Sequence, residues 1–196
     1  MTVNIGGRDY PVVKIGNQLW MAENLDWKYS GVLINPSVAE TNSAAWYYGL
    51  DEATYGIDGT YKCGLLYNFN AANVINNNCP TGWRVPTKED FETLIETSVN
   101  AGALKAIDGS IYSGFPSSLW GGVNTSHFNA TPCGRLDPDA APYKFIYFNE
   151  IGCWWSISSY DYRDAYFLRL ANNSDLATVG SYNKKLAFPI RLVKDA

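Results

Sequence analysis

The chain has 196 residues, 46% of them hydrophobic, which is enough to bury a core and suits one domain, assigned to residues 1–196, rather than two. Fifteen basic against nineteen acidic residues give a formal charge of -4 with no basic run, which excludes the electrostatic footprint of a nucleic-acid binder. No window holds the roughly 18 apolar residues of a membrane span, and MTVNIGGRDY has neither the charged start nor the apolar core of a signal peptide, so no membrane insertion by this domain is expected.

Seven Trp, 14 Tyr, 8 Phe and 17 Gly beside only 17% charged residues predict many short strands, aromatic packing and tight turns. Four cysteines, Cys63, Cys79, Cys133 and Cys153, fit an exported protein with two disulfides. Four cysteines allow three pairings, and a reduced chain is also compatible with this count.

In chain order, Tyr10, Val12 and Lys14 alternate with Val13 and Ile15, a turn follows at Gly16-Asn17, and a second strand runs from Gln18 to Glu23, giving an N-terminal hairpin. Asp26 to Tyr61 is rich in Ser, Asn, Gly, Tyr and Ala without sustained periodicity, which predicts a long surface excursion holding one short helical turn. Tyr67 to Val74 opens a short helix. Thr87 to Val99 carries the clearest helical signals: Thr87 as N-cap, Pro86 before it, Glu89 and Asp90 in the first turn, and a core face of Phe91, Leu94, Ile95 and Val99. After residue 100 short alternating runs predict strands around Phe128 to Cys133, Lys144 to Phe148, Cys153 to Ile157, Tyr166 to Leu170, Ala177 to Val179 and Phe188 to Val193. Trp154 and Trp155 alternate in such a strand, one facing the core and the other supporting the surface. Helices first and antiparallel strands after define an α+β class.

The succession WMAENLDW, GLLYNFNAAN, CPTGWRVPTKEDFETL, FNATPCGR, GCWWSISSYD and AFPIRLVKDA, spread over most of residues 8 to 195, resembles the Fibrobacter succinogenes major paralogous domain family of bacterial surface proteins and lipoproteins. The resemblance implies a C-type lectin-like fold, two helices flanking small antiparallel sheets with the N- and C-terminal strands paired. It also implies a cell-surface or extracellular address, with a phage particle as another setting. Chains similar to this often carry a cysteine in the last strand where Leu192 stands here, so the usual partner of Cys79 is absent. The pairing then implied is Cys63 with Cys79, and Cys133 with Cys153. The segment of about 154–196 further resembles the variable region of proteins diversified by retroelements, with Tyr, Asn, Ser and Asp scattered on a fixed frame of Trp, Leu and Val.

Catalytic readings find little support in the residues. The one histidine, His127, lacks a nucleophile motif and reads as a packed turn or strand residue. Formylglycine-generating enzymes are the enzymatic relatives, but Cys133 and Cys153 sit in no matching motif. Asp137-Pro138-Asp139 has the form of a lectin calcium triplet, yet no Trp-Asn-Asp follows and the composition is that of a turn. Glu89 and Asp90 are explained by a helix dipole. No cofactor or metal is therefore expected. CPTGWRVPT reads as structure: Cys79 as anchor, Pro80 and Pro86 as stiffeners, Trp83 against the core and Arg84 paired with a carboxylate or carbonyls.

Recognition requires exposed aromatic and small polar groups on a rigid frame. Ser158, Ser159, Tyr160, Asp161, Tyr162 and Arg163 form such a group, joined by Asn172, Asn173, Ser181, Tyr182 and Asn183 on following turns. These residues are the candidate site for an unidentified protein or glycan ligand. A surface assembly module without a free ligand and a formylglycine-generator-like oxidoreductase are the alternatives.

Overall fold

The computed structural model describes residues 1–36, 42–107, 120–138, 144–172 and 174–196. In chain order the elements are β1 (Thr2–Ile5), β2 (Arg8–Ile15), β3 (Gln18–Met21), β4 (Leu33–Ile34), β5 (Ala44–Trp46), α1 (Glu52–Tyr55), β6 (Leu66–Asn68), α2 (Phe69–Asn78), α3 (Lys88–Ser98), α4 (Ala101–Leu104), β7 (Cys133–Asp137), β8 (Lys144–Phe148), β9 (Ile151–Ser159), β10 (Asp164–Ala171), β11 (Ala177–Asn183), β12 (Ala187–Phe188) and β13 (Val193–Asp195). A smaller sheet of order β1-β2-β3-β13 joins the two ends of the chain, with Val193 opposite Trp20. A nine-stranded sheet follows the order β11-β10-β9-β7-β12-β6-β5-β4, with β8 paired to β7. The class is mixed helix and sheet, mostly sheet.

Local chemistry explains these elements. Thr87 Oγ1 accepts from the Asp90 amide at 3.2 Å while Asp90 Oδ2 accepts from the Thr87 amide at 2.8 Å, a reciprocal cap that starts α3 where the sequence places it. Its inner face brings Phe91 and Leu94 into the core with Trp20 and Leu168. Val99, expected on that face, is 88% exposed because the chain leaves the helix there with φ 72. Asn68 Oδ1 accepts from the Ala71 amide at 2.9 Å and caps α2. At the β1–β2 turn Gly6 has φ 61 and a Cβ would overlap the Trp27 ring, so both conformation and space require glycine.

Four expectations about these elements are corrected. The stretch from Asp26 to Tyr61 is not only a surface excursion: Ala44, Ala45 and Trp46 of β5 are fully buried inside the large sheet. A strand of three residues is too short to show a period. The strand expected at Phe128 to Cys133 lies instead at β7, and Ala130 contributes only an isolated bridge to Lys105. The single strand expected at Phe188 to Val193 divides into β12 and β13, which belong to different sheets, with Pro189 unable to donate to a ladder between them. Trp154 and Trp155 are both fully buried, because each face of β9 meets a separate core: Trp154 packs with Trp20, Phe91 and Phe128, and Trp155 with Phe69, Phe167 and Phe188. Their indoles donate to Asn24 Oδ1 and to the Tyr67 carbonyl, each at 2.8 Å.

The disulfide expectation is also overturned. Cys63 is bonded to Cys133, while Cys79 and Cys153 are free thiols. Cys153 lies buried on the Trp155 face of β9, and Cys79 ends α2 with its thiol donating to the Ile75 carbonyl at 3.1 Å. Arg84 is paired as expected, with Asp90 at 2.7 Å and Asp195 at 3.0 Å. His127 sits exposed in a turn at φ 59 rather than packed.

Candidate functional site

The end of β9, the start of β10 and the end of β11 converge at one corner of the large sheet. The register Asp164↔Asn183, Ala165↔Tyr182 and Tyr166↔Ser181 places residues 158–163 beside residues 181–183. Ser181, Tyr182 and Asn183 lie on strand β11, not on a turn, because the ladder continues past Val179 to the last pair. Behind this corner Ala165 and Phe167 pack into the core with Trp155 and Phe188, so the frame is rigid where the outward residues change direction.

The outward side chains divide by role. Tyr162 is 93% exposed and Tyr160 59%, the latter with its ring edge on Tyr166. Asp161 shapes the turn: its Oδ1 accepts from the Arg163 amide at 2.8 Å and the Asp164 amide at 2.6 Å, and these amides hold its carboxyl below the usual carboxylate range. Arg163 is exposed and its Nε lies 3.3 Å from Asp164. Ser159 is exposed at the strand end. Ser158 is occupied structurally, its hydroxyl accepting from the Lys88 amide at 3.0 Å at the start of α3. Asn183 Oδ1 accepts from the Lys185 amide at 2.9 Å.

Two members of the predicted set do not join. Asn172 follows the far end of β10, about 25 Å of strand away from Asp164 at some 3.3 Å per residue, and its amide donates to the Glu150 carbonyl. Asn173 lies outside the described residues. Of the calcium triplet considered in the sequence, Asp139 likewise lies outside them, and among the described residues no group of three metal-ligating side chains forms.

The corner also recruits residues that sequence reading missed. A groove of about 410 Å³ is bounded by Tyr162, Arg163, Asn183 and Lys184 on one side and by Asn68 and Asn70 on the other. Lys184 Nζ donates to the Asp161 carbonyl at 2.6 Å and lies over the Phe69 ring, tying β11 to the turn. An adjoining groove of about 290 Å³ is lined by Arg163, Asp164, Ser181, Tyr182 and Asn183. Tyr182 in turn rests against Arg135 of β7, whose Cζ is 4.6 Å from the ring centroid. Asn68 falls within the segment read as a short helix, but its place at the groove follows from the Phe69 amide donating to the Lys184 carbonyl, a long-range relation no local pattern carries.

The fold and this corner define a mainly β domain that presents aromatic, amide and cationic groups on a fixed frame. The model of one protein family, the Fibrobacter succinogenes major domain, matches residues 13–194, and the chain belongs to that family. No curated protein and no solved structure matches the chain.

Proposed function

We propose that this is a non-enzymatic ligand-binding domain of C-type lectin-like fold that recognises a protein or glycan through its C-terminal surface. The carrying observation is the convergence of Tyr160, Tyr162, Tyr182 and Arg163 on one corner, exposed, while the strands beneath them pack into the aromatic core. Tyrosine and arginine supply large contact area with little rotamer freedom to lose, which suits recognition. The lectin-like assignment is supported by the pairing of the terminal strands through β3 and β13 and by α2 and α3 packing against the strands. The resemblance of residues 154–196 to a retroelement-diversified segment accords with the buried Trp154 and Trp155 of β9 and the exposed Tyr160, Tyr162 and Tyr182 that follow.

A non-enzymatic reading is favoured by the thiols. Burial pushes both Cys79 and Cys153 up to about 12, so neither is a thiolate nucleophile near neutral pH. A disulfide, together with the absence among the described residues of any helix long and apolar enough to cross a membrane, suits a cell-surface, extracellular or phage-borne domain. Presenting the full chain to a glycan array and a random-peptide display library tests the proposal. Saturable capture that weakens at least tenfold, the loss of one strong contact, in the Tyr162→Ala, Arg163→Ala double variant is expected. Capture of nothing, or equal capture by the variant, would falsify it.

A further inference from the structure

We infer that Arg135, flanked by Tyr147 and Tyr182, is a carboxylate-recognition site, and that the ligand it serves is a uronic-acid polysaccharide lying along the adjoining grooves. The inference rests on the ligand-binding reading above and gives that ligand a chemistry.

The first ground is an incompletely satisfied cation. Arg8, Arg84 and Arg163 each meet a carboxylate, and the buried Arg191 meets three carbonyl-type oxygens. Arg135 does neither: among the described residues no carboxylate pairs with it, and its Nε is buried without a hydrogen-bond partner. Its planar face is taken up by aromatic contact, with Cζ 4.6 Å from the Tyr182 centroid and 5.2 Å from the Tyr147 centroid. The buried Nε is closed to a ligand, so an incoming acceptor would meet the terminal amino groups of the guanidinium, and a partly buried charge without a carboxylate is stabilised by such an acceptor.

The second ground is a neighbouring charge. Cys153 pairs with Arg169 across β9 and β10, and the bridge Gly134↔Gly152 sets Arg135 alongside Cys153 on β7. Paired residues project from the same face, so Arg169 joins Arg135 above the buried Cys153, whose thiol both guanidinium groups pull against the effect of its burial. Arg169 is exposed and pairs with no carboxylate among the described residues. Two such arginines concentrated on one face of a chain with net charge -4 mark a place built for an anion.

The third ground is backbone strain. Tyr147 holds φ 63, a left-handed conformation unfavourable for a bulky residue, opposite Gly134, also at φ 63. A Cβ on Gly134 would overlap the Ile146 carbonyl, so glycine is required for β8 to approach. The pairing is interrupted between Cys133↔Phe148 and Arg135↔Ile146, and the strained residue is the one that sets its exposed ring against Arg135.

The guanidinium fork matches a carboxylate bidentately. Tyr182 is shared between Arg135 and the 290 Å³ groove, which leads through Arg163 and Asn183 to the exposed Asn70. Side-chain amides and a hydroxyl that both donate and accept suit an array of sugar hydroxyls, and open grooves without an enclosed apolar pocket offer a peptide no anchor.

Calorimetric binding of the full chain to an oligogalacturonate, its methyl ester and poly-glutamate, with melting curves in parallel, tests this. The oligogalacturonate is expected to bind at least tenfold tighter than the ester and than poly-glutamate, and Arg135→Gln and Arg135→Lys to lose about 10- to 100-fold, the value of hydrogen bonds to a charged group. Arg135→Gln is expected to melt no lower than the native chain, whereas a purely structural arginine would lower the midpoint. Equal binding of acid and ester, tighter binding of poly-glutamate, or native affinity in Arg135→Gln overturns the inference. The ester comparison uses only the native chain, so it decides even where a variant fails to fold. If oligogalacturonate is not bound but another ligand is captured and lost in the Tyr162→Ala, Arg163→Ala variant, this site falls while the ligand-binding reading stands; if nothing is captured, both fall.

Discussion

Arg191 lies wholly inside the protein, its guanidinium donating to Asn24 Oδ1 at 2.7 Å, to the Asn129 carbonyl at 2.9 Å and to the Phe128 carbonyl, with the Phe128 ring 4.5 Å from Cζ. Burial pulls its pKa down to about 9, which still leaves it charged at neutral pH. It stitches the loop around Phe128 and Asn129 to the segment between β12 and β13. Arg191→Leu leaves two carbonyls without this donor and is expected to cost about 3 kcal/mol in urea unfolding, with Arg191→Lys recovering part of it. A loss below about 1 kcal/mol would contradict this role. Phe188, Ile190 and Leu192 alternate in FPIRLV and share one core. The same alternation sends Arg191 to the opposite side, and only the three-dimensional placement of Asn24 and Phe128 shows that side to be interior.

Among the elements, α3 was legible because several local signals agree: a capping residue, an acidic first turn and apolar spacing over three turns. β5 and α4 were not, being three and four residues long, and β11 was read short because Ser181 to Asn183 lack the apolar alternation that marked its start. The segment from Asp26 onward is held by hydrogen bonds that composition hides. Asp26 accepts from the Tyr47 hydroxyl at 2.6 Å and the Ile57 amide at 2.9 Å, its own amide donates to the Tyr10 hydroxyl at 3.0 Å, and the Tyr67 hydroxyl accepts from the Trp27 amide at 2.9 Å. Burial raises all three tyrosines, Tyr10 to about 12 and Tyr47 and Tyr67 well above the ordinary range. Groups whose folded pKa is raised stabilise fully below the unfolded value near 10, and that contribution fades as pH rises through the folded values. Arg191, lowered, works in the opposite sense above about 9, but three tyrosines outweigh one arginine. Stability in urea is therefore expected to fall from about pH 10 upward, with phenolate absorbance from the buried tyrosines developing only as the chain unfolds. A flat stability curve to pH 12 would contradict the network.

At the scale of the molecule, one chain closes on itself through the β3–β13 pairing, and the Cys63–Cys133 disulfide ties the approach to β6 to β7 across 70 residues of sequence. The family succession of motifs contains much of the interior, Trp20, Tyr67, Phe91, Trp154, Trp155 and Phe188 among it; the candidate site was partly legible, as a set of Tyr, Asn and Arg positions near the C-terminus. What separated Asn172 from the others was strand direction, and what added Lys184, Asn68 and Asn70 was the long-range contact of Lys184 with Phe69 at the start of α2, neither of which a linear pattern encodes. The central claim is that binding and folding are carried by different residues. It is tested most directly by replacing Tyr160, Tyr162 and Tyr182 with alanine together, then measuring affinity for the captured ligand alongside the melting midpoint. The account predicts at least a tenfold loss of affinity with the midpoint within about 5 °C of the native chain. Unchanged affinity, or a midpoint that collapses by more than about 10 °C, would contradict it.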